Sequence, residues 1–329
     1  MRTIAKKILV PVIATMMMAA GFAHAEPRRI TCVAPASPGG GFDLTCKLLQ
    51  SAFKDSGLLK KPMPVTYMPG GIGAVAYNSI VGNRSAEPGT LVAFTSGSLL
   101  NLAQGKFGRH DENAVRWLAA VAANYGILAV RKDSPYQSLD DLVEAIRSNP
   151  GQVVIGGSGT VGSQYWTQSA LFARTIGVEP RSMRYVSFEG GGDAFTAVMG
   201  DHIQLLSSNA GSILAHVESG DLRVLALLAD EPQDGRLEGM PTAKEQGYDF
   251  SWPVIMGYYM GPKVKDEDYL WWKERFQTLV QSDDFTKTLD QFSVQPFTLM
   301  GDELTAYIQK QVAEYRALAT EFGLAEQKR

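Results

Sequence analysis

Short apolar runs alternate along the chain with longer stretches whose apolar positions recur every three or four residues. The short runs predict strands over 30–34, 65–67, 91–94, 127–130, 153–155, 184–186, 203–206 and 224–228. The longer stretches predict helices over 43–54, 73–81, 139–148, 163–176, 193–199 and 212–218. A helix-rich C-terminal part follows over 266–280, 283–291 and 302–322. Several of these helices begin at or near an aspartate, whose side-chain oxygen can accept the orphan N–H bonds of a first turn. Strand and helix in alternation predict an α/β fold with mainly parallel sheets.

The order of elements also suggests a division. Residues 122–229 hold a β-α-β-α unit that is complete in itself. The chain before and after it forms the other unit. The expected lobes are therefore 26–123 plus 230–329, and 124–229, joined by two crossings near Asn124 and Asp230. Two strands crossing between lobes make a hinge.

Residues 1–25 stand apart. Arg2, Lys6 and Lys7 precede an apolar run over 8–20 and an Ala23-His24-Ala25 pattern. This reads as a secretory signal peptide cut before Glu26. The apolar run is shorter than the ~20 residues a membrane span needs. Without the three leader cations the formal charge moves from -3 to about -6. An acidic chain without basic clusters argues against nucleic acid as a partner. Only Cys32 and Cys46 are present, and export permits a bridge between them. Strand and helix axes lie ~10 Å apart in such layers, whereas a bridge needs Cα atoms within ~7 Å. The bridged and the two-thiol readings both stay open. His110, His202 and His216 lack metal-ligand spacing, so neither a metal nor a catalytic centre is expected.

Glycine-rich turns follow six of the predicted strands: 35–43, 68–74, 95–98, 156–164, 188–193 and 207–212. One such turn needs no more than tight βα geometry. Six on one predicted sheet edge, with serine and threonine interleaved, point to a ligand site. Glycine lets backbone N–H groups approach a ligand closely, and helix N-termini favour anions. These turns contain no lysine or arginine. The bare backbone can itself be the binding group. Gly157-x-Gly159-x-x-Gly162 also fits a dinucleotide fingerprint, with Glu189 as a late acidic partner. That keeps an exported dinucleotide-dependent oxidoreductase as an alternative.

The segments APASPGGGFDLTCKL, VTYMPGGIGAVAYN, GSLLNLAQGKFGR, IGGSGTVGSQYW, FEGGGDAFTAVMG and PTAKEQGYD together resemble the substrate-binding receptors of tripartite tricarboxylate transporters, the Bug-type proteins. The resemblance runs from about Arg29 to the C-terminus and is nearest to the citrate-type receptors. It implies a periplasmic, monomeric, two-lobed binding protein of the Venus-flytrap, type II-like kind. It also implies a small carboxylate ligand, no cofactor, and a membrane transporter with one large and one small subunit as partner. The first binding loop would comprise Gly39, Gly40, Gly41, Phe42 and Asp43, with Asp43 acting as a helix cap that orders the loop. The second would comprise Ser158, Gly159, Thr160, Gly162, Ser163 and Gln164. Ser96, Gly97, Ser98 and Tyr125 would form walls, and Gly191, Asp193 and Asn209 the second-lobe side. Tyr165-Trp166 stand where most relatives carry a histidine. A receptor of the same fold that feeds a sensor shares all these features.

Overall fold

The computed structural model describes residues 25–38, 40–188 and 191–324; most of the predicted leader, Gly39 and Glu189 lie outside the described residues. The chain opens with β1 (Thr31–Ala34), α1 (Gly41–Ser56), β2 (Val65–Tyr67), a 3₁₀ turn (Gly71–Gly73) and α2 (Ala74–Gly82). It continues with β3 (Thr90–Thr95), α3 (Ser96–Ala103), β4 (Arg116–Arg131) and α4 (Leu139–Ser148). Then come β5 (Val154–Ser158), α5 (Gln164–Thr175), β6 (Arg184–Phe188), α6 (Gly191–Met199), β7 (Leu205–Asn209), α7 (Ala210–Glu218) and β8 (Leu222–Leu228). The last part is β9 (Pro253–Met260), α8 (Asp266–Val280), α9 (Asp283–Phe292), β10 (Gln295–Met300) and α10 (Asp302–Glu321).

β4 organises this order. Its first part pairs with β9 and β10 in one sheet, and its last part pairs with β7 and β8 in another. The change falls between Tyr125, opposite Pro253, and Gly126, opposite Asn209 and Leu228. The first sheet runs β2-β1-β3-β9-β4 and the second β4-β7-β5-β6. The expectation of mainly parallel sheets holds only toward the edges. The β1–β2, β1–β3, β5–β6 and β5–β7 pairs are parallel, while every pair made by β4 or β9 is antiparallel.

The hydrophobic pattern misses the first part of β4, all of β9 and β10, and α3. β4 is buried along nearly its whole length, so it lacks the alternation of a half-exposed strand. Ala119 and Ala122 face one core while Ala120 faces another, and their small side chains let helices pack on both faces. One core carries edge-to-face contacts of Phe53 with Trp272 and Phe276 at 5.9 and 5.5 Å. Truncating a buried ring of this kind costs about 3–5 kcal/mol.

Cys32 and Cys46 are bridged, with Cα atoms 5.6 Å apart. The spacing of layer axes is a poor guide here. Cys46 lies on the second turn of α1, buried against the sheet, where Cα atoms approach more closely than axes do. α10 packs along α3, β4 and β10, and its end reaches α5. There Glu321 pairs with Arg174 at 3.0 Å, Phe322 stands edge-on to Trp166 at 5.5 Å, and Arg181 donates to the Phe322 carbonyl.

Candidate functional site

Six helices start near the carboxyl ends of β1, β2, β3, β5, β6 and β7, so their first N–H groups gather along the edges where ligands bind in α/β sheets. The ends are finished differently. α1 begins after Gly40, which makes no side-chain cap bond. Gly40 has φ -102, and added Cβ atoms at Gly40 or Gly41 would meet nothing within 4 Å. The two glycines thus face open space with ordinary backbone angles.

Asp43 is the third residue of α1, so the cap role expected of it belongs to Gly40. Its carboxylate is buried, at 2% exposure, and accepts from Tyr67 Oη at 2.8 Å and Lys47 Nζ at 2.7 Å. It thereby ties α1 to β2. The bond to Asp43 raises the pKa of both Lys47 and Tyr67. Lys47, one turn into the helix, lies just past the window the glycine turns define and was missed for that reason. Phe42 is half-buried and packs on the first-lobe core.

The turn read at 95–98 is helix. α3 starts directly after β3, with a capping box between Thr95 and Ser98. Ser96 Oγ accepts from the Ile255 N–H at 3.0 Å, and Ser98 Oγ accepts from the Thr95 N–H at 3.3 Å. Both hydroxyls are used inside the fold. Gly97 is the residue of this set that faces the other lobe: a Cβ there would stand 3.2 Å from Gln164 Oε1.

The second-lobe residues converge. Gln164 Nε2 donates to Asn209 Oδ1 at 3.4 Å, and Asn209 Nδ2 donates to Tyr165 Oη at 3.1 Å. Ser163 Oγ donates to the Ser158 carbonyl at 3.4 Å, and the Gly159 N–H donates to the Phe188 carbonyl at 2.9 Å. Thr160 is exposed at the tip of the loop, where its carbonyl accepts from the Ser163 N–H at 2.9 Å. Burial pushes the Tyr165 phenol up to about 12, offset in part by the Asn209 bond, and burial also raises Tyr185. Hydroxyl and amide groups here are therefore neutral at pH 7. Ser163 and Asn209 are the N-caps of α5 and α7, neither makes a side-chain cap bond, and neither helix has an acid in its first turn. Gly191 and Asp193 are exposed in the first turn of α6, and a Cβ at Gly191 would meet nothing. Tyr125 is half-buried at the crossing, its phenol raised by burial and then by Asp230.

The fingerprint glycines have packing reasons. Gly157 lies inside β5, where a Cβ would come within 2.8 Å of the Ser207 carbonyl oxygen. Gly159 and Gly162 have φ of +86 and +84, which L side chains rarely adopt. Sequence reasoning missed Gly126. A side chain there would collide with Gln168 Oε1, whose amide nitrogen donates to the Ile127 carbonyl at 2.9 Å and to Ser207 Oγ at 3.0 Å. Two arginines near this lobe are engaged within the fold: Arg131 bonds Asp133 and the Met199 carbonyl, and Arg181 donates to the Phe322 carbonyl.

A model of the tripartite tricarboxylate transporter family receptor matches residues 73–324. A Cupriavidus necator protein, UPF0065 protein in gbd 5'region, is 23% identical over 308 residues, covering 91% of this chain and 89% of its own. MatC from Rhodopseudomonas palustris, solved with bound malate, has a TM-score of 0.71 at 18% identity, over 88% of this chain and 98% of that one. An R. palustris protein solved with adipate has a TM-score of 0.77 at 20% identity, over 90% and 98%. These likenesses show the two-lobed fold of the periplasmic binding proteins. The matched family is one of receptors rather than enzymes, so the oxidoreductase alternative falls. With the match extending over most of its length, the chain belongs to the tripartite tricarboxylate transporter receptor family.

Proposed function

We propose that the protein captures a citrate-like tricarboxylate in the periplasm and delivers it to a transporter with one large and one small membrane subunit. The ligand would sit between residues 26–123 plus 230–329 and residues 124–229. The observation that carries this reading is the pair of uncapped, acid-free N-termini of α5 and α7, taken together with the glycine start of α1. Three positive helix ends suit carboxylates spread over one small molecule. Gly39, Gly40, Gly41, Ser158, Thr160, Ser163 and Gly191 would offer backbone N–H or hydroxyl groups, with Gln164 and Asn209 behind them. A dicarboxylate is the second reading, favoured by the two similar structures solved with malate and adipate.

Calorimetric titration of the chain starting at Glu26 with citrate, isocitrate, tricarballylate, malate and adipate tests both readings. A tricarboxylate should bind at micromolar Kd and tighter than either dicarboxylate. Tighter malate or adipate binding would replace the first reading by the second. Silence across the panel would remove both.

A further inference from the structure

α3 meets the second lobe at both ends. At its start Gly97 faces Gln164, and at its end Gln104 Nε2 donates to the Gly162 carbonyl at 2.8 Å. Gln104 is 3% exposed and is the C-cap residue of α3. Its own N–H bonds the Leu100 carbonyl at 3.0 Å, so the side chain extends from a fixed helix end. The helix is held in turn by the Thr95–Ser98 box and by the Ser96–Ile255 bond.

The loop it reaches is equally fitted. A Cβ at Gly162 would lie 3.0 Å from Gln104 Oε1 and 3.3 Å from Leu324 Cδ1. Gly162 is thus wedged between the end of α3 and the C-terminal segment, and the next residue is the N-cap of α5. Gln104 Oε1 is buried and has no hydrogen-bond partner among the described residues. The amide thus satisfies the Gly162 carbonyl of the loop through its nitrogen while its own oxygen stays unpaired, so its polar group serves the loop and not its own surroundings.

We propose that Gln104 is a positioning residue for ligand binding. Acting from the first lobe, its amide N–H holds the Gly162 carbonyl. This fixes the 158–164 loop in the shape that aims the first N–H groups of α5 into the cleft. The bond forms as the lobes approach, so loop shape and closure are coupled. The ligand part of this assignment rests on the carboxylate-receptor reading; the interlobe part does not.

The test uses Gln104→Met, which keeps the shape and removes the donor, and Gln104→Glu, which turns the donor into an acceptor facing the carbonyl. Spin labels at Glu144→Cys on α4 and Glu274→Cys on α8 report the distance between lobes by pulsed electron resonance. Both variants should shift the ligand-free distribution toward longer distances while melting stays within a few degrees of the parent. For whichever panel carboxylate binds the parent, Kd should rise about tenfold, chiefly through faster dissociation. An unchanged distance distribution with unchanged Kd overturns the assignment. So does a lower melting temperature with unchanged distances, which marks a purely structural amide. If no carboxylate binds the parent, the ligand reading fails, and the distances alone still decide the interlobe bond.

Discussion

Helices that follow the glycine turns and helices that start elsewhere differ in the charge of their first turns, acids being common in the second set and sparse in the first. α4 has a Ser138–Asp141 capping box with Asp140 beside it, and α9 has a Ser282 cap with Asp283 and Asp284. α8 opens with Asp266, Glu267 and Asp268, and α10 with Asp302 and Glu303. α2, α5 and α7 have neither a side-chain cap bond nor an acid in the first turn. α3 caps itself through Thr95 and carries no acid. α1 has one acid, Asp43, already tied to Lys47 and Tyr67. α6 is the exception, with Asp193 exposed. A well-placed acid stabilises a helix start by about 0.3–1 kcal/mol. The outer helices have that stabilisation built in. On the proposed binding reading, α5 and α7 go without it where a bound anion would supply the same charge, so binding would make up the difference.

The sharpest way to break this contrast is to give a cleft helix the finish of an outer one. Ser163→Asp should place a carboxylate over the first N–H groups of α5 and keep or raise the melting temperature. It should weaken carboxylate binding about a thousandfold, since a charged hydrogen bond is lost and a like charge is added, together about 4 kcal/mol. Titration calorimetry beside a melting curve reads both effects. Binding within tenfold of the parent would mean that α5 does not face the anion.

The next effect belongs to the first-lobe side. The Cys32–Cys46 bridge ties β1 to α1 around the glycine loop, with a separation of 14 residues. For a loop of that size the chain-entropy estimate is about 3 kcal/mol. Cys32→Ser with Cys46→Ser should lower urea stability by that amount, and the loop should lose protection in hydrogen exchange before α4 does. Equal loss everywhere would show that the bridge supports the whole fold and not this edge.

A smaller effect should follow at an outer cap. Ser138→Ala removes the oxygen that accepts from the Asp141 N–H at 3.1 Å and should cost about 1 kcal/mol of stability. Carboxylate affinity should stay within twofold. A clear loss of affinity would erase the distinction between outer and cleft helix starts.

The two regions also differed in how far the chain could be read. The βα units at the sheet edges show in the sequence because a short apolar run, a glycine turn and a periodic stretch follow one another. The predicted helices over 139–148 and 266–280 coincide with α4 and α8, both acid-loaded at their starts. The middle of the molecule carries no such punctuation. β4 reads RWLAAVAANYGILAVR and is buried on both faces, so neither period appears. β9 is a buried antiparallel partner for β3 and β4, set by contacts far apart in the chain. α3 follows β3 without a turn, and Ser-Gly-Ser there looks like a loop although Thr95 caps it. Asp43 looks like a cap because it precedes an apolar run, yet the helix starts at Gly41, two residues before the predicted start, with Gly40 as its N-cap. Gln104 and Gly126 carry no local signal, because their reasons lie on the other lobe or the neighbouring helix.

The smallest expected effect is that of salt, and it separates backbone capture from capture by cations. The cleft-edge turns at 35–43, 95–98 and 156–164 contain no lysine or arginine, and Arg131 and Arg181 are engaged with Asp133 and Phe322. Lys47 is the cation nearest the first loop in sequence, and it is held by Asp43. Hydrogen bonds from helix starts act at contact distance in a partly dehydrated cleft, where mobile ions screen them little. An exposed basic patch acts across water and weakens as the Debye length falls from about 30 Å at 0.01 M to about 8 Å at 0.15 M. Affinity for the bound carboxylate should therefore change less than about threefold over that range at fixed pH. Arg131→Ala, Arg181→Ala and Arg184→Ala, titrated beside the parent, should leave it nearly unchanged. A fall of tenfold or more with salt, or loss of binding in one arginine variant with the fold intact, would assign the negative charge to a side chain and remove the contrast between the two sets of helix ends.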